Sequence, residues 1–233
     1  MIKVYLDWNC ITHCKDTLSE LKYLIEQYKN IFICPYSIAH LRDVQTKCDI
    51  NPIEYEHDLD LLTEICGSHI LLCSDDIQLL NISPREYLSD SGDILYCLQN
   101  KFPFPYDSLR KLFRSTISPE ALKRIAIEDN PHNVFSLANE TLHRHLGVSD
   151  VESFVKQIYP SSNHTLEMKI KHEYFMIDML GYKSESKNKS FSNIDTDAQH
   201  IYSAIFCDYL ISNDWRFRNK AKAIYSNNHC VTK

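Results

Sequence analysis

The chain has 233 residues, of which 44% are hydrophobic and 24% charged, with 4 Gly and 14 Tyr. That is enough for one domain with a sizeable core, or one domain carrying a large insertion, and it excludes a flexible or low-complexity chain. A formal net charge of -6 speaks on its own against a nucleic-acid partner, because binding a polyanion needs local positive potential, so the distribution of basic residues decides that question.

No apolar run approaches the roughly 18 residues that span a bilayer. Met1-Ile2-Lys3 leads into the first β-prone run without a signal-peptide pattern, so the expectation is a cytoplasmic protein with no membrane partner. Nine cysteines, at 10, 14, 34, 48, 66, 73, 97, 207 and 230, are odd in number, scattered, and without a Cys-x-x-Cys pair. Free thiols suit this pattern better than a disulfide framework or a zinc site.

In chain order, Ile2 to Leu6 predicts a first strand, with Asp7-Trp8-Asn9 directly at its carboxyl end. Leu18, Leu21, Leu24, Ile25 and Tyr28 recur at helical spacing and predict a helix over 15 to 29. Ile31 to Cys34 reads as a second strand. Ser37 then caps a helix carrying Ile38, Leu41 and Val44.

From about 51 to 192 the signals are mainly helical. Asn51-Pro52, Ser83-Pro84, Ser118-Pro119 and Asn130-Pro131 each place a capping side chain before a proline suited to the first turn. Ser83 to Glu86 and Ser149 to Glu152 have capping-box spacing. Ile70 to Cys73 is a further strand candidate, a helix runs from 165 to Gly181, and the polar stretch from Lys183 to Asn193 reads as a loop. The chain closes with a helix at about 195 to 207, a strand at 208 to 212, a helix at about 215 to 226, and an edge strand at 229 to 232. The expected fold is α/β, one domain over 1 to 233. Its core is at about 1 to 50 and 193 to 233, and a helical insertion lies between.

Asp7, Asp43, Asp197 and Asp214 are the candidate site, with Asp195 in reserve. Acids just past parallel strands collect at the carboxyl edge of the sheet, where ligands of open α/β folds bind. Clustered carboxylates repel, and a hard cation such as Mg²⁺ or Mn²⁺ is the natural way to hold them together. Each acid also has a plainer reading: Asp195 or Asp197 as a helix cap, Asp7 and Asp214 as loop and turn residues, Asp43 as one acid on an amphipathic helix. Arg216, Arg218, Lys220 and Lys222 follow Asp214 and form a candidate phosphate-contact run. Arg110, Lys111, Arg114, Lys123 and Arg124 form a second basic cluster, read equally as a solvated face.

Asp7 after the first strand, Asp197-Ala-x-His200 at a helix start, and Cys-Asp208-Tyr-Leu-Ile-Ser-Asn213-Asp214 together resemble the PIN-domain nucleases. The likeness covers about residues 1 to 45 and 193 to 233. It implies a three-layer fold around a parallel sheet of four to five strands, and an endoribonuclease that cuts RNA with Mg²⁺ or Mn²⁺ held by Asp7, Asp43, Asp197 and Asp214. Where the family usually has a Glu, the simplest register places His40, within Ser37-Ile-Ala-His40-Leu-Arg-Asp43. This is similar to a bacterial subgroup with its acid three residues after the His. His40 and Asp43 then share a helix face, or His40 is a buried core residue, and His200 reads as a packing residue.

Asn9 and Asn213 are expected to orient ligands or water, and Arg216 and Arg218 to contact the RNA backbone. An alternative is a catalytically inert PIN-like module that binds RNA or a protein, such as an antitoxin or defence-system partner. A metal enzyme acting on DNA or a small phosphate ester is a third reading, since such ions recognise phosphate and not sugar.

Overall fold

The computed structural model describes residues 1–16, 18–73, 77–91, 106–158, 165–184 and 191–233. Backbone contacts divide the chain into two units. The first comprises Met1–Lys101, Ser203–Asp214 and Val231–Lys233, and the second Phe102–Tyr202 and Trp215–Cys230.

The first unit is built on β1 (Ile2–Leu6), which pairs in parallel with β2 (Phe32–Ile33) on one side and β5 (Tyr209–Ile211) on the other. The registers Ile2↔Phe32 and Leu6↔Ile211 make β1 the central strand of order β2-β1-β5. A sheet of three strands replaces the expected four to five. The missing width is an antiparallel hairpin of β3 (His69–Cys73) and β4 (Ile77–Asn81), joined to the segment after β2 by one parallel bridge from Tyr36 to Ile70. Tyr36 donates its backbone N–H to His69 and accepts from Leu71, at 2.9 and 2.7 Å.

The helix expected over 15 to 29 appears as the shorter α2 (Glu20–Tyr28), capped by Ser19, which accepts from Lys22 N–H at 3.4 Å, and a separate short helix, α1 (Trp8–His13), precedes it. α3 (Ile38–Gln45) begins at Ser37 as expected. α4 (Pro52–Cys66) starts after its Asn51 cap, and α5 (Pro84–Ser91) after the reciprocal Ser83–Glu86 capping box. Helix α4 packs on α1 and α3, so residues placed by the sequence in the insertion help close the core around Leu6, Ile11, Leu41, Leu62 and Ile70. Cys10, Cys14, Cys34 and Cys66 are free thiols in that core. Burial pushes Cys34 up to about 12 and Cys66 well above the ordinary thiol value, so these sulfurs act as small apolar groups.

The expected edge strand at 229 to 232 is instead a turn at His229 and an irregular tail. Lys233 donates its N–H to Asp208 C=O at 3.1 Å and accepts from Leu210 at 2.9 Å, while Thr232 Oγ1 bonds Ala204 and Ile205 carbonyls.

The second unit is helical: α6 (Tyr106–Ser115), α7 (Pro119–Ile127), α8 (Pro131–Leu146), α9 (Val151–Ile158), α10 (Leu166–Met179), α11 (Phe191–Ala204) through Tyr202, and α12 (Trp215–Asn227). Ser118 and Asn130 cap as expected. At α9, Asp150 and not Ser149 takes the N–H of Ser153, at 2.6 Å. α11 starts four residues earlier than expected, and of the Lys183–Asn193 loop, residues 185–190 lie outside those described. Gly181, at φ +96°, follows α10 in a conformation that favours glycine, with the Arg114 guanidinium 3.6 Å from where a Cβ would stand.

Asp178 is the polar centre of this unit. Its carboxylate pairs with buried Lys220, accepts from Tyr106 Oη at 2.6 Å, and lies 3.8 Å from Arg110. Burial pushes the carboxyl up, but Lys220, Tyr106 and Arg110 outweigh that and hold it below the usual carboxylate range. Arg114 binds the carbonyls of Asp178 and Met179 at the end of α10. The two basic runs are therefore divided by burial. Lys220, Arg110 and Arg114 serve the interior, while Lys111, Lys123, Arg124 and Lys222 stay on the surface.

Glu173 of α10, also buried, accepts from Asn227 at 2.9 Å and Asn228 at 2.5 Å, with Lys169 at 3.9 Å. Burial carries this carboxyl up to about 7 against those partners. Because its folded value lies above the unfolded one near 4.5, the group's stabilising contribution is full below that value and is lost as pH rises through about 7. Glu173→Gln is expected to raise stability by up to about 3 kcal/mol at pH 8, at 1.36 kcal/mol per pKa unit. The gain should shrink towards pH 5, and thermal unfolding of both proteins across this range checks it. A gain independent of pH would contradict the assignment.

Candidate functional site

Asp7 continues the β1 ladder, its backbone N–H donating to Ile211 C=O at 2.9 Å, while its own carbonyl accepts from Cys10 and Ile11 and starts α1. Although Asp7 occupies the N-cap position, its side chain makes no capping bond. The carboxylate instead faces β5: Oδ2 accepts from Ser212 Oγ at 2.7 Å and from Asn9 Nδ2 at 3.3 Å, and the residue is only 6% exposed. Ser212, also buried, accepts from the Asp214 N–H at 3.1 Å. One hydroxyl thus ties the strand-end Asp7 to the Ser212-Asn213-Asp214 turn that ends the neighbouring parallel strand. The chain leaves β1 towards β2 on one side and reaches β5 on the other, so this is the carboxyl edge at a topological switch point.

His40 is wholly buried, and both ring nitrogens are engaged. Nδ1 accepts from Ser37 N–H at 3.0 Å, completing a capping box with the Ser37 side chain, and Nε2 donates to Leu6 C=O at 2.7 Å, a tautomer assigned from those partners. The Tyr5 ring lies 4.9 Å from the imidazole, tilted by 42°, and its hydroxyl hydrogen-bonds with Ser37 Oγ at 2.7 Å. Of the two readings of His40, the structure shows the buried one. The ring fixes the backbone immediately before Asp7.

Asp43 lies one turn further along α3, half-buried, with its carbonyl taken by Thr46 Oγ1 at 2.6 Å. Asp214 is half-buried and Asn213 exposed. Asp208 is structural, its Oδ2 accepting from Lys3 N–H at 2.8 Å.

The first unit therefore carries Asp7, Asp43 and Asp214 together with Asn9, His40 and Asn213, and the second carries Asp195, Asp197, Arg216 and Arg218. Asp195 and Asp197 sit in the second turn of α11, so neither caps it. Asp195 pairs with Lys171 at 3.3 Å and lines a pocket of about 270 Å³ with Met168, His172, Phe175, Ile194 and Ala198. Asp197 Oδ2 accepts from Tyr174 Oη at 2.8 Å. The Arg216 guanidinium lies 5.1 Å from the Trp215 ring, Arg218 is half-buried, and His200 is buried.

The donors at the end of β1 and β5 are oxygens, which suit a hard cation and not zinc, and Cys10, Cys14, Cys34 and Cys66 lie in the core. Among the described residues no three His, Cys, Asp or Glu side chains are grouped so that they could hold a metal ion. This donor set fits an ion such as Mg²⁺ that takes one or two carboxylates and keeps its water, and does not fit an ion ligated wholly by protein. Sequence reasoning missed Ser212 and Tyr174. Ser212 stood in the Ser-Asn-Asp turn, whereas nothing local marks Tyr174.

Compared with known proteins, the chain matches no family model, no curated protein and no solved structure.

Proposed function

We propose that this protein is a metal-dependent endoribonuclease of PIN-like type. The supporting observation is the Asp7–Ser212–Asp214 link at the carboxyl edge of two adjacent parallel strands. Asp7 and Asp214 are the principal candidates to hold Mg²⁺ or Mn²⁺, with Asp43, on α3 of the same unit, as a third. Asp197 enters through the resemblance alone. Such an ion supplies a water of lowered pKa and neutralises charge on a phosphodiester.

The chain's own residues prepare that edge. Ser212 and Asn9 orient Asp7 through the two hydrogen bonds to Oδ2, and His40 holds the carbonyl of Leu6 one residue before it. Arg216 and Arg218, which belong to the second unit, enter as phosphate-binding candidates only because they follow Asp214 in the sequence, a role their forked geometry suits.

A second reading, an inert PIN-like module that binds RNA or an antitoxin or defence partner, draws on two features. The residue in the register of the family's Glu is His40, committed to a capping box, and no group of three ligand side chains occurs among the described residues. Calorimetric titration with Mn²⁺ separates the two. The nuclease reading expects binding by the wild type that Asp7→Asn and Asp214→Asn weaken at least about 10-fold. Binding absent, or indifferent to both carboxylates, would favour the inert module.

A further inference from the structure

We propose that Trp215, with Arg216 and Lys183, is a stacking platform for an unpaired base of a single-stranded nucleic acid. The inference rests on a nucleic-acid ligand, which the nuclease reading and the inert RNA-binding reading share. It uses residues of the second unit alone and needs no metal.

Trp215 opens α12 with 47% of its surface exposed. The Arg216 guanidinium lies 5.1 Å from the ring centroid and the Lys183 ammonium 5.9 Å, both within the range of cation–π attraction. Lys183 also lies 5.7 Å from the Tyr182 ring centroid and pairs with Asp129 at 2.7 Å. Its backbone stands at φ +43°, in the left-handed region that a lysine rarely adopts. Such a conformation persists where its surroundings hold it, and here an ion pair and two aromatic rings do so. Asn219 Nδ2 donates to the Trp215 carbonyl at 2.7 Å and fixes the first turn of the helix. The indole is therefore open to solvent yet held, and a ring already in place loses little freedom when a ligand settles on it.

The chemistry of the surroundings selects the ligand. Every base has a π face, so an exposed aromatic ring stacks bases with little regard to sequence, and a cation beside the ring meets the phosphate attached to the stacked base. An apolar protein surface gains nothing from two cations at the ring, whereas a polyanion does. A duplex offers phosphate only, because its bases are already stacked on one another.

The chain has 2 Trp, and Trp8→Phe leaves Trp215 as the sole indole. The test titrates that protein with short uridine and deoxyuridine oligomers, an abasic oligomer and a duplex of the same length, at low salt with chelator present. The single strands are expected to quench Trp215 fluorescence and the abasic oligomer and duplex to leave it unchanged; tighter binding of one single strand identifies its sugar as the source. By anisotropy of a labelled strand, Trp215→Leu should bind about 10-fold more weakly and Arg216→Gln should lower the salt slope by about 1, with circular dichroism confirming that each variant is folded. Binding without quenching that Trp215→Leu leaves intact overturns the platform, as does quenching equal for duplex and single strand. Absence of single-strand binding overturns it too. None of these results touches the metal-dependent reading, which Mn²⁺ binding tests separately.

Discussion

Asp178→Ala is expected to cost the protein about 3–5 kcal/mol, the usual penalty for removing one member of a buried charge pair. The carboxylate is 1% exposed and its partner Lys220 2% exposed, so the ammonium left behind has no water to turn to. Arg110 loses an ion-pair partner 3.8 Å away, and the Tyr106 hydroxyl loses the oxygen it meets at 2.6 Å. For a chain of this size the fall in Tm is about 2–4 °C per kcal/mol, giving a drop of about 6–20 °C by calorimetry or circular dichroism. The loss comes from stranding the cation more than from the pair's net worth. Asp178→Leu combined with Lys220→Met should therefore recover much of it, as replacement of both buried charges by apolar groups often does. Wild-type stability in Asp178→Ala would show that the pair is not buried in solution.

Asp7→Asn is expected to do the opposite: leave the fold intact and remove the proposed nuclease activity. Asparagine keeps a carbonyl oxygen to accept from Ser212 and Asn9, and the backbone bonds to Ile211, Cys10 and Ile11 do not involve the side chain. The stability change should stay within about 1 kcal/mol, the scale of one altered hydrogen bond. What disappears is the negative charge at the strand edge. Losing one electrostatic contributor of this kind costs on the order of 10²–10³-fold in rate. Ser212→Ala is the milder companion, because it frees the Asp7 carboxylate and the Asp214 turn without removing either acid.

The legible parts of the fold were those with local causes. Ile2 to Leu6, the proline-capped helix starts and the Ser37 cap appear where the sequence placed them, since a cap acts within three or four residues of itself. The His40 capping box was also within reach, because His40 stands three residues after Ser37, where a Glu or Gln is the usual partner. The sheet was overestimated because β3 looks the same from sequence whether it joins a parallel sheet or turns back on a hairpin. Its partner Ile77–Asn81 is interrupted by Gln78, which hid the strand.

The basic run after Asp214 is divided for a geometric reason. Residues two apart on a helix face different ways, so Arg216, Arg218, Lys220 and Lys222 cannot form one stripe, and the partner that buries Lys220 lies 42 residues away. The start of α11 was masked by Asp195 and Asp197, which look like caps but fall in its second turn. At the site itself Asp7 and Asp214 were readable as strand-end acids. The Ser212 hydroxyl between them, and the Tyr174 contact to Asp197, are tertiary contacts across 205 and 23 residues.

The most direct measurement is cleavage of single-stranded and structured RNA by the wild type and by Asp7→Asn, each with Mg²⁺, with Mn²⁺ and with chelator. A metal-dependent ribonuclease built on the β1–β5 edge predicts wild-type cleavage that chelation abolishes and either ion restores, and a loss on the order of 10²–10³-fold in the variant. Equal cleavage by the two proteins, or no cleavage by the wild type with either ion, would contradict it.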